Sequence, residues 1–119
     1  DESIWDKTAA LKRLGGKEKN LKKLIKLFHR DMPTQIEALE RASLEEGVDG
    51  VLHSAHTIKG VAANLGGLSL QQRACELEKS ARSNDRAHVD VLIPKVKAAY
   101  KALAHEFSHY ADPGKERES

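Results

Sequence analysis

The strongest chemical signal in the chain is a histidine followed by a lysine and a glycine, His56, Lys59 and Gly60, in the stretch HTIKGVAANLG. On a helix turning about 100° per residue, Asp49, Leu52, His53, Lys59, Gly60 and Ala63 fall within about 60° of His56, while Val51, Ile58, Val61 and Leu65 fall on the far side. The far side is the core face; the near side faces water or a partner. Glycine inside a helix costs roughly 1 kcal/mol relative to alanine. On the exposed face, core packing does not account for Gly60. Close approach of something large to His56 does, because a side chain at 60 would block it. Lys59, one turn after His56, sets a cation where it stabilises an anion built on the imidazole. A phosphorylatable histidine needs this arrangement: a neutral ring nitrogen attacks phosphorus, and the product carries roughly two negative charges.

The elements that must position this face are helical throughout. No stretch alternates with period two over a useful length, so no sheet is expected. A short first helix is predicted over residues 4–14, ended by Gly15-Gly16, with Ile4 and Trp5 covering one end of the bundle. The second runs over 18–45, with Leu21, Leu24, Ile25, Phe28, Met32, Ile36 and Leu39 as its apolar stripe and a kink at Pro33. The third covers 48–65, between Gly47 and Gly66-Gly67. Ser69, with Gln72 three positions on, reads as the N-cap of a fourth whose stripe is Leu70, Ala74, Leu77 and Ala81. After the Ser83-Asn84-Asp85 turn, the last helix extends to about 110. It carries Val89, Leu92, Ile93, Val96, Tyr100, Leu103, Phe107 and Tyr110 on one side, with a bend at Pro94. The expected fold is all-α: an antiparallel four-helix bundle with an extra short N-terminal helix over residues 1–110, then a disordered tail over 111–119.

Composition narrows the functions. With 20 basic and 18 acidic residues the net charge is +2, too balanced for a nucleic-acid binder that neutralises phosphates. The lysines of EKNLKKLIK read as the solvated face of a helix rather than a membrane or nucleic-acid surface, because Leu21, Leu24 and Ile25 form its core side. No apolar run is long enough to cross a bilayer, and no signal peptide opens the chain. The single cysteine, Cys75, excludes a disulfide framework and is expected to be buried. His53 with His56, or His105 with His109, could hold two positions on zinc, but no further ligand is placed to complete either site, so no metal is expected.

The segment from His56 to Gly66 resembles the H-x-x-K-G-x-x-x-x-x-G signature of histidine-containing phosphotransfer (HPt) domains. Leu14-Gly15-Gly16, the stretch over 24–33, and Glu76-Leu77-Glu78 followed by Ala81-Arg82 resemble that family at the same spacing. The resemblance spans about residues 4–110. It implies a four-helix bundle whose His56 accepts a phosphoryl group from a receiver-domain aspartate and passes it to another receiver. Lys59 would hold phosphoryl oxygens or meet the receiver's acidic pocket, and Gly60 would leave room for its loops. Leu52, His53 and Ala63 on the same face would meet the partner. Glu78 falls where family members often carry a glutamine that orients the imidazole. A carboxylate there would accept the ring N–H yet oppose the charge of the phosphorylated state. Arg82 matches a basic position of some members, and Arg73 and Lys79 add to a positive rim.

On this resemblance the partners are response-regulator receiver domains, with neither nucleic acid nor direct membrane contact, and the domain is a monomer. It needs no cofactor of its own, because the receiver supplies Mg²⁺. No G-x-x-x-x-G-K-[ST] loop is present, so ATP-dependent autophosphorylation is not expected. Thr57 after His56, with no Thr-Pro beyond Lys59, departs from the H-E-x-x-T-P pattern of histidine kinase dimerisation helices. The chain begins at Asp1 and its only methionine is Met32, which reads as a piece of a longer chain. The expected setting is a hybrid sensor histidine kinase, at the cytoplasmic end of a membrane-bound sensor. A helical docking module that needs no phosphorylation is the competing reading.

Overall fold

The computed structural model describes residues 3–111. Five α-helices follow in order: α1 (Lys7–Arg13), α2 (Glu18–Arg41), α3 (Val48–Leu65), α4 (Leu68–Arg82) and α5 (Arg86–Ala111). There is no strand among the described residues. Helices α2 to α5 form an antiparallel bundle in which α3 and α5 each pack against both α2 and α4, and α1 lies across α2 and α3 at one end. Cross-links between α2 and α5 show the antiparallel sense: Glu18 near the start of α2 accepts from Tyr110 near the end of α5, and Glu40 pairs with Lys97. Of the expected tail, residues 112–119 lie outside the described residues.

The apolar stripes read from the sequence form the core. Leu21, Ile25, Phe28, Met32, Ile36 and Leu39 of α2 are buried, as are Val89, Leu92, Val96, Leu103 and Phe107 of α5. Leu24, Val61, Ile93, Tyr100 and Tyr110 are only half-buried at the rim of that core. Cys75 is half-buried rather than enclosed. The lysines of the second helix are exposed beside buried Leu21 and Ile25, as a solvated face requires. Helices α2 and α5 run unbroken through Pro33 and Pro94. Both prolines are exposed.

Three boundaries differ from the sequence reading. Helix α1 starts at Lys7, not at residue 4, because the Asp6 carboxylate accepts from the Ala9 N–H at 3.0 Å and caps the helix there. Ile4 and Trp5 cover the end of the bundle, as expected. The Trp5 indole donates to the Leu65 carbonyl at 2.8 Å and meets Phe107 edge-on, with ring centroids 4.9 Å apart. Helix α2 does not continue to residue 45. A π-turn (Ala42–Glu46) follows it, closed by the Gly47 N–H on the Ala42 carbonyl at 2.8 Å and held to α5 by Arg86 on Ser43. Ser69 is not an N-cap: α4 already begins at Leu68, with Gly67 as the cap residue.

The α3–α4 connection explains that last difference. Gly66 ends α3 in the left-handed conformation, φ 72°, and Gly67 donates back to Ala62 at 2.8 Å. The chain therefore reverses in two residues and resumes its helix before Ser69. Gly66 also accepts from the Asp6 N–H at 2.7 Å, which clasps the segment before α1 to this turn. A Cβ at 66 would collide with the Asp6 carbonyl, and one at 67 would lie 2.5 Å from a Leu103 methyl. Gly66→Ala should therefore destabilise the domain by more than the roughly 1–2 kcal/mol of a left-handed residue alone. Gly15→Ala, also left-handed but with nothing near its Cβ, should cost only the conformational part. Urea unfolding of the two variants checks the difference.

Candidate functional site

Small side chains bring α3 and α4 close together. Ala55 and Ala62 of α3 and Ala74 and Ala81 of α4 are all buried, and no other pair of helices meets so extensively. The close approach lets one α4 residue reach two α3 residues a turn apart. Glu78, only 3% exposed, accepts from Lys59 Nζ at 2.5 Å through Oε1. Its Oε2 lies 2.8 Å from His56 Nδ1 and 3.3 Å from Arg82 Nη2. The partners grade outward from Glu78 into solvent: side-chain exposure is 31% for Lys59, 65% for Arg82 and 69% for His56.

The charge of Glu78 decides the tautomer of His56. The Lys59 hydrogen bond is the largest influence on Glu78 and holds its carboxyl down at about 2, against the opposing effect of burial and with help from His56. At neutral pH Glu78 is a carboxylate and can only accept. Nδ1 of His56 must then carry the proton it shares with Oε2, which leaves the lone pair of a neutral ring on Nε2. An exposed imidazole oriented in this way can act as a nucleophile through Nε2.

The other predicted residues divide into two groups. Leu52 and His53 line a 270 Å³ cavity with Asp49, His56, Glu78 and Arg82. Gly60 and Ala63 share the His56 face of α3. A Cβ at Gly60 would meet nothing within 4 Å, so no contact within the fold demands glycine there. Ala63 is half-buried, and its carbonyl accepts from Arg13 Nη1. Arg73 and Lys79 are not brought to His56. Arg73 pairs with Glu76 and lines a groove between α4 and α5 with Ser69 and Lys95. Lys79 is exposed about 100° round α4 from Glu78.

No cluster of three or more histidine, cysteine, aspartate or glutamate residues suited to a metal ion occurs among the described residues. A feature the sequence reading missed is an apolar groove of about 520 Å³ between α2 and α3, floored by Leu24, Leu27, Phe28 and Val61 and edged by Arg13, Asp31 and Asn64. Its side chains come from three separate segments, so no single motif announces it.

A family model described as the Hpt domain matches residues 23–106, a span that holds His56, Lys59, Gly60, Glu78 and Arg82. The chain belongs to the Hpt domain family. The fold agrees. The crystal structure of histidine-containing phosphotransfer protein B (HptB) from Pseudomonas aeruginosa PAO1 aligns with a TM-score of 0.85 over 95% of this chain and 98% of that one, at 21% identity. No curated protein sequence gives a match. Histidine phosphotransfer in a phosphorelay is the role of this Hpt domain in outline, and receiver domains are the partners of the family. No helix among the described residues is long and apolar enough to cross a membrane.

The depressed carboxyl of Glu78 makes a prediction about stability. Its charged form favours the folded state fully above the ordinary glutamate value of 4.5, and the benefit is lost as pH falls toward about 2. Glu78→Gln should therefore fall furthest below the wild type in stability at neutral pH. The gap should narrow as acid is added through that window, as followed by urea unfolding at a series of pH values.

Proposed function

We propose that His56 is the phosphoacceptor of a phosphorelay, taking a phosphoryl group from the aspartyl phosphate of one receiver domain and delivering it to the aspartate of another. The observation that carries this reading is the hydrogen bond from His56 Nδ1 to the Glu78 carboxylate, which leaves Nε2 as the free nucleophile on a ring that is 69% exposed. In the forward step Nε2 forms a bond to phosphorus, the bond from phosphorus to the aspartyl oxygen breaks, and the aspartate leaves as a carboxylate. The reverse step restores the acyl phosphate. The receiver supplies Mg²⁺ and the acidic pocket, and the Hpt domain presents the imidazole at the right angle.

Lys59 and Arg82, both gathered at Glu78 beside the ring, are the cations we assign to the new negative charge. Leu52, His53 and Ala63 surround the histidine on the face a receiver would cover. Gly60 keeps that face low. The domain acts as a monomer in the cytoplasm beside its receivers, and a hybrid sensor kinase is the setting the family resemblance supports.

Phosphotransfer from a phosphorylated receiver in Mg²⁺ tests the reading. The wild type should gain an acid-labile, base-stable label that His56→Gln abolishes while helix content by circular dichroism stays unchanged. Label retained in His56→Gln would show a different acceptor. Binding without any label would favour the docking module. Lys59→Ala should slow transfer less than loss of His56 does.

Gly60 gives a separate test, since nothing inside the fold opposes a Cβ there. Gly60→Ala should raise stability by up to about 1 kcal/mol, while the bulkier Gly60→Gln slows transfer about tenfold or more. Urea unfolding and transfer rates measured on the same proteins would separate the two effects. Unchanged transfer in Gly60→Gln would remove the steric role.

A further inference from the structure

We propose that Glu78 keeps the proton on His56 Nδ1 after phosphorylation, so that the ring can leave as a neutral imidazole when the phosphoryl group moves on. The proposal rests on His56 being the phosphoacceptor and concerns the second half of the cycle.

Bond formation at Nε2 uses the lone pair of a ring that already holds a proton on Nδ1. If that proton stays, the phosphorylated ring is a cation bearing an anionic phosphoryl group. In onward transfer an aspartate oxygen bonds to phosphorus, the bond from phosphorus to Nε2 breaks, and its electron pair returns to Nε2. The ring departs neutral, with the proton still on Nδ1, in the tautomer from which it began. If the proton is lost first, the same bond break must expel an imidazolate anion, a far poorer leaving group. The Nδ1 proton therefore separates a competent phosphoryl donor from a sluggish one.

The charges around the ring favour keeping it. From α4, the buried carboxylate of Glu78 sits 2.8 Å from Nδ1, at the ring edge away from Nε2. Also from α4, Arg82 contacts the same carboxylate, and from α3 Lys59 does so. Asp49 and His53 of α3 line the cavity beside the ring. Asp49 acts in the same direction as Glu78. Lys59, Arg82 and a protonated His53 oppose it. The phosphoryl oxygens offer Lys59 and Arg82 a second acceptor on the solvent side, and any shift of these cations toward them frees the charge of Glu78 to act on the ring. Burial strengthens that action, because little water screens it.

Glu78→Gln isolates the charge, since the amide oxygen can still accept the ring N–H. The domain, labelled with nitrogen-15 histidine, is phosphorylated with phosphoramidate, a small donor that needs no receiver. Nitrogen NMR then follows Nδ1 of phospho-His56 against pH. The wild type should hold the proton to a pH higher by about one unit or more than Glu78→Gln. In parallel, onward transfer to an unphosphorylated receiver should stay level through neutral pH for the wild type. For the variant it should fall by about tenfold per pH unit above its own midpoint. Equal midpoints, or pH profiles of the same shape at different heights, would overturn the proposal, since a merely structural defect lowers the rate alike at every pH. Phosphate on a residue other than His56 would overturn the phosphoacceptor reading itself, a result distinct from equal midpoints at a labelled His56.

Discussion

A carboxylate with 5% of its side chain open to water lies between two helices, and the local arrangement follows from the need to satisfy it. A buried carboxylate without partners would be costly. Glu78 finds three, and their geometry joins α3 to α4 in a fixed register: two α3 residues one turn apart converge on one α4 residue. The same contact turns the imidazole, sets its tautomer and gathers two cations beside it. Packing makes the contact possible, because the alanines between α3 and α4 let the backbones approach closely enough for a short side chain to bridge them. The negative group lies beneath a surface that presents an imidazole and positive charge to whatever approaches.

The bundle and the reactive face answer to different constraints. Core positions such as Val51, Ile58 and Leu65 are set by volume, and a change there is felt through the whole α3–α4 pairing. A Cβ added to Gly60, on the opposite side of the same helix, would meet nothing within 4 Å. Packing within the fold therefore does not set its residue type. The imidazole of His56 stands at the rim of the bundle, open to a partner, while its orientation is set from beneath by Glu78.

Much of this was legible in the sequence because the relevant signals are local. Helix α3 was read to its exact limits, since Gly47 and Gly66 bracket an amphipathic run with nothing to contest them. The misreadings arose where a tertiary contact outweighed a local rule. Ile4 and Trp5 continue the apolar spacing of α1 and cover the end of the bundle as expected, yet the helix starts only after them, where Asp6 caps it. Ser69 has the chemistry of a cap but arrives too late after a two-residue reversal. The π-turn adds a residue to a helix end, which no periodicity reveals. His56, Lys59 and Gly60 stood out by type and spacing. Glu78 was reached through resemblance to the family, but its burial and its three simultaneous partners depend on how closely two helices pack, which the one-dimensional pattern does not encode. Arg73 shows the converse error: a positive charge near in sequence faces the wrong neighbour in space.

The clasp at the end of the bundle has a practical consequence. Trp5 is the only tryptophan in the chain, and its indole is fixed by the Leu65 carbonyl and flanked by Phe107 and Tyr110. Leu65 lies nine residues beyond His56 on α3, about 13 Å along the helix axis. The molecule thus carries an intrinsic optical probe at the meeting point of α1, α3 and α5, set apart from the reactive surface. Its emission reports whether that end of the bundle is docked, more than two helical turns from His56. Folding can therefore be followed optically in variants of the His56 face without altering the surroundings of the probe.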